Sequence, residues 1–145
     1  MDFFTQVFNN HILWISIFAC FLAQFIKVFT GKEKVIDFSR LFMSGGMPSS
    51  HSSFVTSLST QVGLYRGFDS VEFAISMVFA LIVMYDASGV RRAVGKQAAI
   101  LNKIVEDLQK KKHIEHETLK ELVGHTPKEV IFGAILGIVV GILMA

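Results

Sequence analysis

Apolar residues gather in this chain into three long runs, with a fourth run broken by hydroxyls. Residues 12–29, 71–86 and 130–145 are nearly continuous apolar stretches, each close to the ~20 residues that cross a bilayer as a helix. Residues 49–65 differ, because Ser52, Ser53, Thr56, Ser57, Ser59, Thr60 and Gln61 interrupt the apolar positions. Lipid offers such a helix no hydrogen-bond partners, so it belongs at the centre of a bundle, bonded to its neighbours through small residues. Gly67 is placed to end it, and Asp69 or Ser70 to cap the next helix, with Glu72 in reach of a reciprocal capping box. Between the last two runs, segment 93–123 is soluble in character: Leu101, Ile104, Val105 and Leu108 recur at helical spacing with charges opposite. Gly133, Gly137 and Gly141 line one face of the final run, a pattern that permits close packing within the chain or in a homodimer. The expected fold is all-α: one membrane domain over 1–145, a helical bundle of about four transmembrane helices, with a cytoplasmic amphipathic helical segment at 93–123.

Composition strengthens the membrane reading. The 145 residues are 52% hydrophobic and include 14 Phe, and mean hydropathy is +0.52, too apolar for an ordinary soluble domain. A net charge of +2 gives no reason to expect nucleic acid as a partner. The single cysteine, Cys20, cannot form an internal disulfide. The first ten residues carry no Lys or Arg and no small-residue cleavage site follows, so run 12–29 reads as a retained span rather than a signal peptide.

Basic residues cluster in two connections, 27–40 and 91–128, with Arg66 alone in the short link and none before the first span. The positive-inside rule then places both connections in the cytoplasm, as in a bacterial-type plasma membrane protein. Stretch 45–53, the pair Arg91 and Arg92, and stretch 125–129 therefore emerge on one membrane face.

That coincidence directs attention to chemistry. Gly45-Gly46-Met47-Pro48-Ser49-Ser50-His51-Ser52-Ser53 joins a glycine turn to a serine-capped helix start, where backbone N–H groups favour an anion. Arg91 and Arg92 have the forked geometry that grips phosphate oxygens. His125 precedes a helix start at Thr126-Pro127, and Glu129, four positions on, is near enough to orient its ring. One imidazole backed by a carboxylate, a second imidazole as acid and cationic clamps would make a metal-free phosphoryl-transfer site without cofactors. Each part has a plainer alternative. Thr126-x-x-Glu129 also fits a capping box, the arginines suit headgroup anchoring, and Asp86 suits a cap or an arginine partner. Lys27, near the end of the first span, either snorkels to the interface or faces a polar pocket. Lys110-Lys111-Lys112 suits solvent or anionic headgroups, and His11, His113 and His116 show no partner pattern.

Pro48-Ser49-Ser50-His51 resembles the Pro-Ser-Gly-His motif of the type-2 phosphatidic acid phosphatase and vanadium haloperoxidase superfamily, and His125-x-x-x-Glu129 its closing His-x-x-x-Asp. The longer strings Gly-Gly-Met-Pro-Ser-Ser-His-Ser, Tyr-Asp-Ala-Ser-Gly-Val-Arg-Arg and Gly-His-Thr-Pro-Lys-Glu-Val look like its divergent branch of small bacterial and plant proteins. By that resemblance His125 would be the nucleophile that becomes a phosphohistidine, Glu129 its orienting carboxylate and His51 the proton donor to the leaving oxygen. Ser49 and Ser50 would hold phosphate with Arg91 or Arg92. The superfamily's Lys-x6-Arg-Pro motif has no clean counterpart: Lys34 and Arg40 have five residues between them and leucine follows, and Lys27 is an equally good stand-in. The expected activity is metal-independent hydrolysis of a lipid phosphate or diphosphate ester. The alternatives are a non-catalytic phospholipid- or anion-binding membrane protein, and a metal-dependent phosphoalcohol transferase built on Asp86-x-x-Gly89-x-x-Arg92, for which the spans supply few carboxylates.

Overall fold

The computed structural model describes residues 2–30, 45–109, 119 and 123–145. Arg40, Lys110-Lys111-Lys112, His113 and His116 lie outside the described residues. Those described form six helices and no strand: α1 (Phe3–Phe8), α2 (His11–Phe29), α3 (Ser50–Arg66), α4 (Val71–Ser88), α5 (Val90–Gln109) and α6 (Pro127–Leu143).

Local chemistry accounts for most of the boundaries. Side-chain oxygens of Asn10, Ser49, Ser70 and Thr126 each accept from a first-turn backbone N–H of α2, α3, α4 and α6. Gly67 closes α3 at φ 94°, a conformation that favours glycine. Glu72 does not complete the reciprocal box expected at α4. It takes a 2.7 Å ion pair from Arg66 instead, so the short link is tied by charge. Helix α1, capped by Asp2, had no strong periodic signal behind it.

Helix α3 is the centre of the bundle and packs against α2, α4 and α6. Its hydroxyls turn inward: Ser52, Ser53, Thr56, Ser57 and Ser59 are all buried. Ser53 Oγ donates to the Ala19 carbonyl of α2 at 3.0 Å, and Thr56 Oγ1 lies 3.1 Å from the Ala134 carbonyl of α6. The Gln61 amide donates to the Gly141 carbonyl. The glycine stripe packs within the chain, against this helix. A Cβ at Gly133 would strike the Ser49 backbone, one at Gly137 the Ser53 carbonyl and the Thr56 side chain, and one at Gly141 the Thr60 side chain. A homodimer through those glycines would have to displace α3.

The rest of the bundle is inverted relative to a soluble fold. Small residues such as Ala19, Ala23, Ala80 and Ala87 fill the interior, while Phe21, Phe25, Phe79, Leu81, Ile82 and Phe132 face outward. Small residues inside and large apolar ones outside are what lipid as solvent selects. Two helical stretches, His11–Phe29 and Val71–Glu106, are long and apolar enough to cross a bilayer. The second runs from α4 through Gly89 into α5; part of the segment expected at 93–123 lies outside the described residues.

Candidate functional site

Four chain segments meet at one end of α3. The first is the glycine turn, where Gly45 (φ 91°) and Gly46 (φ 83°) adopt backbone conformations that L side chains rarely take. Thr30, at the end of α2, donates its hydroxyl to the Met47 carbonyl and so ties this turn to the first span. The turn delivers Ser49, whose backbone N–H donates to the Glu129 carbonyl of α6 at 3.0 Å. Ser49 Oγ then caps α3, accepting from the Ser52 N–H at 3.3 Å and the Ser52 hydroxyl at 3.0 Å. Its own proton remains to be donated elsewhere.

The second segment is 123–129. The His125 backbone N–H donates to the Ala87 carbonyl near the end of α4 at 2.9 Å. Beside it, Gly124 lies so close to the Arg91 and Arg92 backbone that any side chain there would collide with it. The His125 imidazole is only 3% exposed. Its Nδ1 lies 3.3 Å from Glu129 Oε2, and the same oxygen accepts from the Thr126 N–H at 3.0 Å. Glu129 N–H in turn donates to Thr126 Oγ1 at 3.4 Å. The two readings of Glu129 are thus one arrangement: the capping box fixes the carboxylate, and the fixed carboxylate faces the imidazole. With Nδ1 so engaged, Nε2 is the nitrogen left for chemistry. Burial, and after it the Lys27 charge, hold this imidazole below its ordinary value of about 6.5, against the upward pull of the Glu129 carboxylate. The ring is therefore neutral at neutral pH, which is the form able to attack.

The third contributor is Lys27 on α2. It does not snorkel. The side chain is buried, 3% exposed, with Nζ 3.4 Å from Ser50 Oγ, and the charges of Glu129, His125 and His51 all interact with it. A buried ammonium whose one hydrogen-bond partner among the described residues is a hydroxyl is costly unless an anion joins it. His51 stands in the first turn of α3 with its ring centroid 6.3 Å from that of His125, edge to face.

The arginines form the outer edge. Arg91 Nε donates to Asp86 Oδ2 at 2.6 Å, and the charges of both residues act on His51. Arg92 is exposed; its backbone seats Gly124, and among the described residues no side-chain hydrogen bond or ion pair links it to the histidines. Asp86 is thus the arginine partner left open above. Sequence reasoning missed Gly124 and the Ala87 carbonyl as the supports of His125; a glycine directly before the histidine was the one visible hint. Among the described residues no three His, Cys, Asp or Glu side chains come together as a metal-ligand set.

Comparison with known proteins shows the family of the chain. Residues 8–140 match the model of the family described as "Divergent PAP2 family". The chain is 44% identical, over 97% of its own length and 97% of the relative's, to the "Uncharacterized membrane protein YuiD" of Bacillus subtilis (strain 168). No solved structure matches it. Since the family model spans nearly every segment that builds the site, the chain belongs to the divergent PAP2 family.

Proposed function

We propose that this protein is a membrane phosphatase that hydrolyses a lipid phosphate or diphosphate ester without a metal, through a phosphohistidine. Its setting is a four-span bundle, α2, α3, α4 and α6, with the site on the cytoplasmic face. Helix α6, at 17 residues, is about 25 Å long, enough for a slightly thinned or snorkelled crossing, and α3 crosses inside the bundle rather than in lipid.

In this reading phosphate oxygens enter among Lys27 Nζ, the Ser49 and Ser50 hydroxyls and the N–H groups at the start of α3. Arg91 closes the outer side. His125 Nε2 attacks phosphorus, a P–N bond forms, and the P–O ester bond breaks as His51 delivers a proton to the leaving oxygen. Water then attacks the phosphohistidine with His51 taking its proton. The P–N bond breaks, and inorganic phosphate and free His125 are restored. Glu129 holds Nδ1 through both steps. The observation that carries the proposal is the buried His125 held 3.3 Å from the half-buried Glu129, facing His51 beside the buried cation Lys27.

The test is phosphate release by detergent-purified protein from lipid phosphates and diphosphates, with and without chelator. Chelator-resistant turnover should fall at least about 10³-fold in His125→Ala while the thermal transition persists; unchanged turnover would overturn the mechanism. A second reading, a non-catalytic anion- or phospholipid-binding protein that keeps the pocket, is favoured by the near-complete burial of His125. It expects no turnover on any lipid, and phosphate or vanadate affinity within a few-fold of wild type in His125→Ala.

A further inference from the structure

We infer that α5 lies in the headgroup layer of the bilayer, its apolar stripe turned into the acyl boundary. On this helix Val90, Val94, Ile100, Leu101, Ile104 and Leu108 are 45–60% exposed. At 100° per residue they fall on one contiguous face. Protein contact lies on the adjoining side, where Gly95 and Ala98 are buried and Asn102 exchanges two hydrogen bonds with the Leu119 backbone, at 2.9 and 3.0 Å. The stripe therefore has no partner among the described residues.

Two observations identify the membrane as what covers the stripe. The stripe continues the outward face of α4, whose Phe79, Leu81, Ile82 and Tyr85 are exposed in the same way, with only Gly89 between the helices. Gly89 leaves helical geometry (φ −102°, ψ −88°), so the chain has a break at which to turn from crossing the bilayer to lying on it. The charges agree. Arg92, Lys96 and Lys103 occupy the side away from the stripe, and Lys96 and Lys103 border its Ile100 edge, where long cationic side chains reach up to anionic headgroups. Because Gly124 rests on the Arg91–Arg92 backbone, a helix held at that depth also holds His125 at the level of lipid phosphates. This placement does not depend on whether the site turns anything over.

The full chain carrying Cys20→Ala and either Leu101→Cys or Lys103→Cys is labelled with an environment-sensitive fluorophore. It is then reconstituted into vesicles of phosphatidylglycerol and phosphatidylethanolamine. The label at 101 is expected to be quenched several-fold more by doxyl-lipid than the label at 103, with iodide showing the reverse order. Equal iodide quenching at both positions would put α5 in water and overturn the inference. A label at 101 shielded from both quenchers would show the stripe covered by protein, a second copy included, and would overturn it equally. Ile104→Cys replaces Leu101→Cys if that variant does not fold, read by the same criteria.

Discussion

The inner and outer halves of the site use similar residue types and differ in how they are held. On the inner side, Lys27, Ser49, Ser50 and His125 are buried, and backbone hydrogen bonds to α6 and α4 fix the segments that carry Ser49, Ser50 and His125. On the outer side, Arg91 and Asp86 pair at 2.6 Å with side chains 45% and 36% exposed, and Arg92 is exposed. Two arginines outnumber one lysine on paper. In a low-dielectric pocket, however, one unscreened charge outweighs an exposed pair that water and salt weaken. On the proposed reading, the anion-binding strength of this end of the bundle would therefore reside with Lys27 and the α3 start, with the arginines as a modulating rim.

The sharpest way to break this contrast is to dislodge the inner half. Gly137→Val pushes a branched side chain into the Ser53 carbonyl and the Thr56 hydroxyl, neither of which has room to retreat inside the α3–α6 contact. Overpacking of this kind costs about 3 kcal/mol, more than the helix propensity gained by losing a glycine. The expected result is loss of the cooperative thermal transition in detergent. Retention of the wild-type transition would mean that α3 and α6 stand further apart than described.

Next in size is a direct contest between the halves. Lys27→Met keeps the length and apolar stem of the side chain while removing the charge. It should lower kcat/KM for phosphate release, or phosphate affinity if there is no turnover, by about 100-fold. Arg92→Gln should change either by no more than about threefold. The opposite ranking would place the anion with the arginines and make the buried lysine structural.

Both variants bear on how much was legible beforehand. The caps at Ser49, Ser70 and Thr126, the end at Gly67 and the inward hydroxyls of α3 follow from local rules, because a cap or a hydroxyl in lipid has few ways to be satisfied. The Pro48–His51 and His125–Glu129 strings are the ones that the fold brings together. Lys27 was not decidable, since snorkelling and burial look alike until the packing of α2 on α3 is known. The same holds for Glu129, whose carboxylate could cap or orient; only the position of Thr126 relative to His125 in space shows one oxygen doing both. Glu72 was assigned to a local box and went to Arg66, a competing charge across the link that spacing alone does not weigh. Long-range backbone bonds such as Ser49 to Glu129 and His125 to Ala87 leave no mark on side-chain chemistry at all.

The smallest expected effect is a titration, and it tests whether the inner half acts electrostatically as a unit. Burial first, then Lys27, push the His125 imidazole below about 6.5, while Glu129 opposes them and His51 adds to the depression. The folded protein thus binds fewer protons at this site than the unfolded chain. Stability from this group is complete above the unfolded value and is lost as pH falls through the folded one. Turnover requiring neutral His125 has its acid limb on the same side, so stability should begin to decline below about pH 6.5 and activity should fall as pH drops through the lower folded value. Nitrogen-15 histidine NMR reads the imidazole without relying on catalysis. Lys27→Met removes one of the depressing charges, so the His125 titration should move upward, toward the ordinary histidine range, while Arg92→Gln should leave it in place. An unmoved midpoint in Lys27→Met would separate the lysine from the histidine and dissolve the inner cluster into unrelated buried groups. A shift in Arg92→Gln instead would bring the rim inside the site.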